Sequence, residues 1–325
     1  MKHIRLFWFA SATLLYTLGV ILWGAFVRAT GSGAGCGSHW PLCNGEIIPR
    51  APQVATLIEF GHRITSGLAL VLVVVLFIWA LRVLPRGDMG RRGTWWVLFF
   101  MITESLVGAA LVLMELVGDN SSVHRAIWMA AHLVNTFFLM GALTLTCWWL
   151  AGGGRLYIRR HGLLSAGLGL GLFGLLWLGM SGAIAALGNT LYPSASLLHG
   201  LQQDFSPTAH VLIRLRIFHP LIAAVVGIYI LGLAVFIDYR VLTMRSMRLV
   251  RSLVMLFGIQ VLVGIVNVAL LAPVWLQVTH LLLANLIWIV IMLLTAEALS
   301  QPATLPEHTR VGIFARPNRT RVRTR

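Results

Sequence analysis

Eight apolar stretches of about 20 residues dominate this chain, and each is long enough to cross the hydrocarbon core of a bilayer as a helix. They lie near 7–27, 57–81, 95–117, 126–150, 163–187, 210–237, 250–272 and 276–299. Inside lipid every backbone N–H and C=O must be satisfied within its own segment, so such runs become helices and little else. Of the 325 residues 58% are hydrophobic and 11% charged, with a mean hydropathy of +0.85, which excludes a soluble domain. The expected fold class is therefore an all-α membrane protein with eight transmembrane helices. Met1-Lys2-His3-Ile4-Arg5 runs straight into a full-length span with no small-residue cleavage site, so no cleaved leader is expected.

The formal net charge of +15 would suit nucleic acid if it were clustered on a soluble face, and its placement excludes that. With the N-terminus in the cytoplasm, 19 of the 25 basic residues fall on the inner side. They are Lys2 and Arg5, the loops containing Arg82–Arg92, Arg155–Arg160 and Arg240–Arg251, and six arginines after residue 300. Only Arg28, Arg50, Arg63, Arg125, Arg214 and Arg216 remain outside. The positive-inside rule then predicts a multi-pass protein of a bacterial plasma membrane with both termini cytoplasmic. Residues 301–325 are basic and poor in apolar side chains, and read as a disordered cytoplasmic tail beside anionic lipid.

The chain also repeats itself. Glu104-Ser105-Leu106-Val107-Gly108 leads to His132, and Gln260-Val261-Leu262-Val263-Gly264 leads to His280. His62-Arg63-Ile64 has its counterpart in His219-Pro220-Leu221. Four helices per unit preserve orientation, so the sequence predicts two tandem, pseudo-symmetric four-helix bundles, 1–150 and 151–300, related by an axis along the membrane normal.

Four of the 11 histidines occupy repeat-related places on even-numbered spans: His62, His132, His219 and His280. Two histidines from two helices at one depth of a four-helix bundle suit axial ligation of a haem, which gives two sites, His62/His132 and His219/His280. The alternatives are hydrogen bonds between helices and zinc, which lacks a third ligand in each half. His39, His124, His199 and His210 are expected in outer loops or at their edges.

Thr56 to Gly67 places Glu59, His62 and Arg63 at the mouth of the second span. Glu59 and His62 are three apart and share a helix face, which allows acid/base chemistry beside a metal ligand; a Glu59–Arg63 pair at i,i+4 is the structural alternative. The preceding loop, Gly31 to Pro52, is rich in Gly and Pro and carries Cys36 and Cys43 on the oxidising side. Both a structural disulfide and a dithiol couple with a role in turnover remain open there. Arg63, Arg125, Arg214 and Arg216 lie near the ligand histidines at the outer surface and are candidates for haem propionates, with headgroup anchoring as the alternative.

The run Gly24-Ala25-Phe26-Val27-Arg28-Ala29-Thr30-Gly31-Ser32-Gly33-Ala34-Gly35-Cys36-Gly37-Ser38-His39-Trp40-Pro41-Leu42-Cys43-Asn44-Gly45, followed by Ile58-Glu59-Phe60-Gly61-His62-Arg63, resembles haem A synthase, the membrane enzyme that oxidises haem O to haem A. The resemblance covers nearly all of 8–299. It implies a substrate haem on His62 and His132 in the N-terminal half and a haem b cofactor on His219 and His280 in the C-terminal half. It also implies a functional carboxylate at Glu59 and a cysteine pair at Cys36 and Cys43. A second cysteine pair found in some members is missing from residues 188–209, and Glu104 stands where the second half has Gln260, its carboxyl expected to be protonated or hydrogen-bonded. The reaction implied turns a ring methyl into a formyl group by successive hydroxylations, with Glu59 stabilising a cationic centre or taking a proton from water. The partners in view are haem O, haem O synthase, terminal oxidase assembly factors, membrane lipid and a second copy of the chain as homo-oligomer. A di-haem b-type electron-transfer cytochrome is the alternative function, and a haem carrier or transporter a third.

Overall fold

The computed structural model describes residues 3–241 and 243–300. The tail 301–325, Lys2 and the side chain of Arg240, on which sequence expectations fell, lie outside the described residues. Among the described residues ten α-helices follow one another: α1 Ile4–Ala29, α2 Val54–Val83, α3 Met89–Leu113, α4 Val123–Leu150, α5 Gly162–Leu191, α6 Leu197–Phe205, α7 Val211–Arg214, α8 Phe218–Val241, α9 Met244–Ala269 and α10 Val274–Ser300. Among the described residues there is no strand, and 8 spans are long and apolar enough to cross a membrane, the sixth running Val211–Tyr239. The chain is a multi-pass membrane protein.

Local chemistry explains where the helices depart from the apolar runs. Helix α3 begins at Met89, well before the run at 95, because the Asp88 side chain accepts from the N–H groups of Gly90 and Arg91. A cap of this kind stabilises a helix by about 1 kcal/mol. The same helix stops at Leu113 and not 117, where Glu115 turns to a φ of 56°. Helix α9 starts at Met244, since Thr243 and Ser246 cap each other reciprocally. Arg245 and Arg248 therefore lie on its first turns, not in the loop that the apolar windows predict, and Arg251 follows them on the same helix. The sixth span opens as the short α7, tightens to a 3-10 turn at Leu215–Ile217 and resumes as α8. Pro220 stands at the third position of α8, where its missing N–H costs no intrahelical bond.

The sequence predicts plain loop over residues 188–209, yet α6 forms there. Leu197, Leu198, Leu201 and Phe205 make one exposed apolar side, and Asp204 at its flank accepts from Arg216 Nε at 2.9 Å. Such a helix lies along an interface and does not span it.

Helix α1 packs on α2 and α4, α2 on α3, and α3 on α4; α5 packs on α8 and α10, α8 on α9, and α9 on α10. Contacts of α4 with α5 and α10, and of α1 with α10, join the two sets. Between them lies a core that includes Leu18, Phe137, Met140, Leu168, Trp288 and Ile291. Its centre is the ring pair Phe137 and Trp288, 5.1 Å apart, with Trp288 Nε1 donating to the Phe137 carbonyl at 2.6 Å. A buried indole N–H needs such a partner. Arg28, at the end of α1, also crosses the seam: its Nη1 donates to Ala186 O at 2.8 Å and Thr190 Oγ1 at 2.9 Å, and its Nη2 to Gln277 Oε1 at 2.9 Å.

Candidate functional site

All four sequence-selected histidines lie toward the face that carries the Thr30–Gln53 loop, about 9–14 Å along the axis from their span ends at 1.5 Å per residue. Of the two expected pairs, one is in ring contact. The His219 and His280 rings have centroids 6.3 Å apart at 78°, and His62 and His132 lie within electrostatic reach of each other. Two imidazoles bound on opposite sides of one metal by bonds of about 2 Å have their ring centres about 6 Å apart, which the second pair matches.

Each histidine ring rests against a glycine of the preceding span. A Cβ placed on Gly24 would lie 2.9 Å from His62 Cε1, and one on Gly182 3.0 Å from His219 Cε1. The corresponding distances are 3.1 Å from Gly264 to His280 and 3.7 Å from Gly108 to His132. Sequence reasoning used Gly108 and Gly264 as repeat markers and missed this role. Gly24 and Gly182 stand at nearly the offset of His62 and His219, and that spacing was the available signal.

The free ring nitrogens test whether iron would fit. Nδ1 of His62, His132 and His280 is buried without a hydrogen-bond partner, while His219 Nδ1 pairs with Ser181 Oγ at 3.0 Å and so directs Nε2 away from α5. His280 differs, since its Nε2 lies 3.1 Å from Gln260 Nε2. Interhelical hydrogen bonding thus accounts for part of two residues and not for the set. Among the described residues no three His, Cys, Asp or Glu side chains converge as a metal cage, so a closed zinc site is not built. The paired donors and the glycine hollows fit a haem at His62/His132 and at His219/His280.

Glu59 is 3% exposed and fully engaged. Its Oε2 accepts the Cys36 backbone N–H at 2.8 Å, and its Oε1 accepts from Arg63 Nε at 3.1 Å and from Arg63 Nη2. Arg63 Nη1 donates onward to the carbonyls of His39 and Leu42. The i,i+4 pair is present, but it is a buried clamp on the loop and not a surface ion pair. Cys36 and Cys43 form a disulfide, with exposures of 0% and 1%. Thiol–disulfide exchange needs access for an attacking thiolate, so this burial favours a staple over a couple that turns over.

The other arginines are placed as follows. Arg125 is buried and donates to the carbonyls of Gly118 and Asn120. Arg216 donates to Asp204, Asn189 Oδ1 and Tyr192 O, and Arg214 is exposed. Three of the four propionate candidates are therefore already held by protein acceptors. His124 lies in the first turn of α4, His199 on α6, and His210 caps α7, so none of the three is a plain loop residue. Arg216 also stands three residues before His219, where the first half has Glu59 three before His62. The two halves thus carry opposite charges at matching positions.

Comparison with known proteins bears on this arrangement. The chain is 53% identical over 303 residues to a protein of Thermus thermophilus named protoheme IX farnesyltransferase, covering 92% of this chain and 49% of the relative. It is 44% identical over 105 residues to the heme A synthase of Geobacillus kaustophilus, covering 32% of this chain and 33% of that protein. The heme A synthase of Alkalihalophilus pseudofirmus matches at 41% over 110 residues, 34% of this chain and 37% of that protein. The chain spans about half the length of the first of these curated relatives. The family COX15-CtaA, described as cytochrome oxidase assembly protein, matches residues 7–292, a range that holds all four histidines, Glu59 and both cysteines, and the chain belongs to that family.

Proposed function

We propose that this chain is an oxidoreductase, a haem A synthase, that oxidises a ring methyl of haem O to a formyl group through successive hydroxylations, for terminal oxidase assembly. In this reading 1–150 and 151–300 are pseudo-symmetric four-helix halves. The first binds haem O between His62 and His132, and the second binds haem b between His219 and His280. Haem b, when bound, supplies one-electron redox chemistry. The observation that carries the assignment of halves is the carboxylate of Glu59 one helical turn from His62, where the second half has Arg216. Oxidation at a methyl carbon develops positive charge there, which a fixed carboxylate stabilises and a guanidinium does not.

The chain's own residues then divide the work. His62 and His132 hold and orient the substrate. Arg63 and the Cys36 N–H fix the Glu59 carboxylate, so it needs no reorganisation as charge develops. Glu59 Oε1 or Oε2 is also the acceptor for the proton of an attacking water. The buried disulfide holds the loop that closes over this carboxylate.

Farnesyl transfer, the activity in the Thermus relatives' name, fits this chain less well. The name covers a protein about twice as long, and we place that activity in its unmatched half, which makes a haem O-forming transferase the natural partner here. The electron-transfer alternative leaves Glu59 only the task of holding the loop. The distribution of basic residues supports a plasma-membrane location with cytoplasmic termini.

Glu59→Gln tests the proposal. It keeps the size of the side chain and removes its charge, so with haem O supplied, haem A should fall by roughly 10²-fold while haem O or its hydroxymethyl form accumulates. Haem content by extraction and chromatography reads this directly. Undiminished haem A would return Glu59 to a purely structural clamp.

A further inference from the structure

Each proposed haem position sets one polar side chain of the preceding helix against its second histidine, and the two side chains differ. On α3, Glu104 Oε1 stands 3.4 Å from His132 Nδ1. The carboxylate is held by two neighbours of His132 on α4: Asn135 Nδ2 donates to Oε2 at 2.6 Å and the Thr136 hydroxyl donates to Oε1. Asn135 is itself fixed, donating to Phe100 O at 3.0 Å and accepting from Thr103 Oγ1 at 2.7 Å. On α9 the matching residue is Gln260, 3.1 Å from His280 and with its Oε1 unpartnered. One histidine thus faces a positioned carboxylate and the other a neutral amide.

The 3.4 Å separation is longer than a formed hydrogen bond, and His132 Nδ1 has no other partner. A small rotation of the ring closes the gap, and such contacts often tighten only when a site is filled. Nothing in the proposed chemistry uses Glu104.

Resting on the haem assignments above, we infer that Glu104 is a positioning residue for the iron held in the first half. By accepting the Nδ1–H of His132 it selects the tautomer that presents Nε2 to the metal. It also makes that imidazole a stronger donor, as an outer carboxylate does for a metal-bound histidine. A more strongly donating ligand stabilises the ferric state, so the iron at His62/His132 has a lower midpoint potential than the iron at His219/His280. Gln260, a neutral amide, leaves the second iron without that bias. The difference ranks the two haems in the direction that draws electrons from the substrate half toward the other.

The test is spectroelectrochemical titration of the purified, haem-loaded full chain as wild type, Glu104→Gln and Gln260→Glu. An effect of about tenfold on the ferric/ferrous balance, in the range of outer-ligand substitutions, is about 59 mV for one electron. Glu104→Gln should raise the lower midpoint by that order, with haem content and the higher midpoint unchanged. Gln260→Glu should lower the higher one, since a carboxylate beside His280 acts through its charge whichever ring nitrogen binds the metal. Unmoved midpoints in a loaded protein, with or without a loss of thermal stability, would assign Glu104 to packing and overturn the inference. Should Glu104→Gln fail to accumulate, Gln260→Glu decides alone, and an unmoved midpoint there overturns it equally. Failure of the haem assignment is separately visible: His62→Ala would then keep wild-type haem content.

Discussion

The hollow that Gly182 leaves for His219 makes a quantitative demand. An alanine there puts its Cβ 3.0 Å from Cε1, 3.4 Å from Nδ1 and 3.6 Å from Nε2 of the ring. Carbon atoms rest at about 3.5–4.0 Å, so the ring must retreat by roughly 0.5–1 Å. Overpacking of this size costs about 1–3 kcal/mol, and alanine returns about 1 kcal/mol through its helix propensity. The net loss of roughly 0–2 kcal/mol leaves the protein folded. A metal bond tolerates only about 0.2 Å, so haem binding in the second half should weaken by about 10–100-fold, the usual consequence of disturbing a ligand's support. Gly169 lies on the same helix with nothing within 4 Å of an added Cβ. Gly169→Ala should therefore keep full haem content and gain up to about 1 kcal/mol. Haem per protein from the alkaline pyridine spectrum, with thermal unfolding in detergent, separates the two. Wild-type haem content in Gly182→Ala, or an equal loss in Gly169→Ala, would refute the reasoning.

Two further outcomes follow from the packing. Arg28→Lys should destabilise more than Arg28→Met, because an ammonium keeps the half-buried charge but cannot serve Thr190, Ala186 and Gln277 in the forked geometry of a guanidinium; melting temperatures in the opposite order would contradict this. Replacing Cys36 and Cys43 together by serine should remove about 2–4 kcal/mol from the loop and open Thr30–Gln53 to protease while the eight spans stay intact, so an unchanged digestion pattern would show that Glu59, Arg63 and Thr56 hold the loop without the disulfide.

Much of this was legible because lipid imposes simple rules. The eight spans follow from apolar length, and the four histidines stand out through a repeat whose offset is 157 residues for His62/His219 and 148 for His132/His280. What escaped was whatever depends on a partner far along the chain or on a helix end. The early start of α3 depends on one aspartate, Asp88, and that of α9 on a Thr243–Ser246 exchange that an apolar window cannot register. Helix α6 stayed hidden since its apolar residues are too few to span, though Leu197, Leu198, Leu201 and Phe205 share one side. The Glu59–Arg63 pair was foreseeable at i,i+4; the Cys36 N–H that completes it was not, because it comes from 23 residues away across a turn region with no regular period. The glycine hollows were missed for the opposite reason: glycine is common in membrane helices, and only the ring beside it gives it meaning.

Arg28 has a consequence for how the molecule is made. It belongs to α1, yet one of its acceptors, Gln277 of α10, stands 249 residues later, and Thr190 162 residues later. Until those segments insert, the guanidinium has only water and headgroups to satisfy it, and it holds the end of α1 at the membrane surface. The arginine therefore ties α1 to α10, since α1 can settle to its final depth only once α10 has arrived.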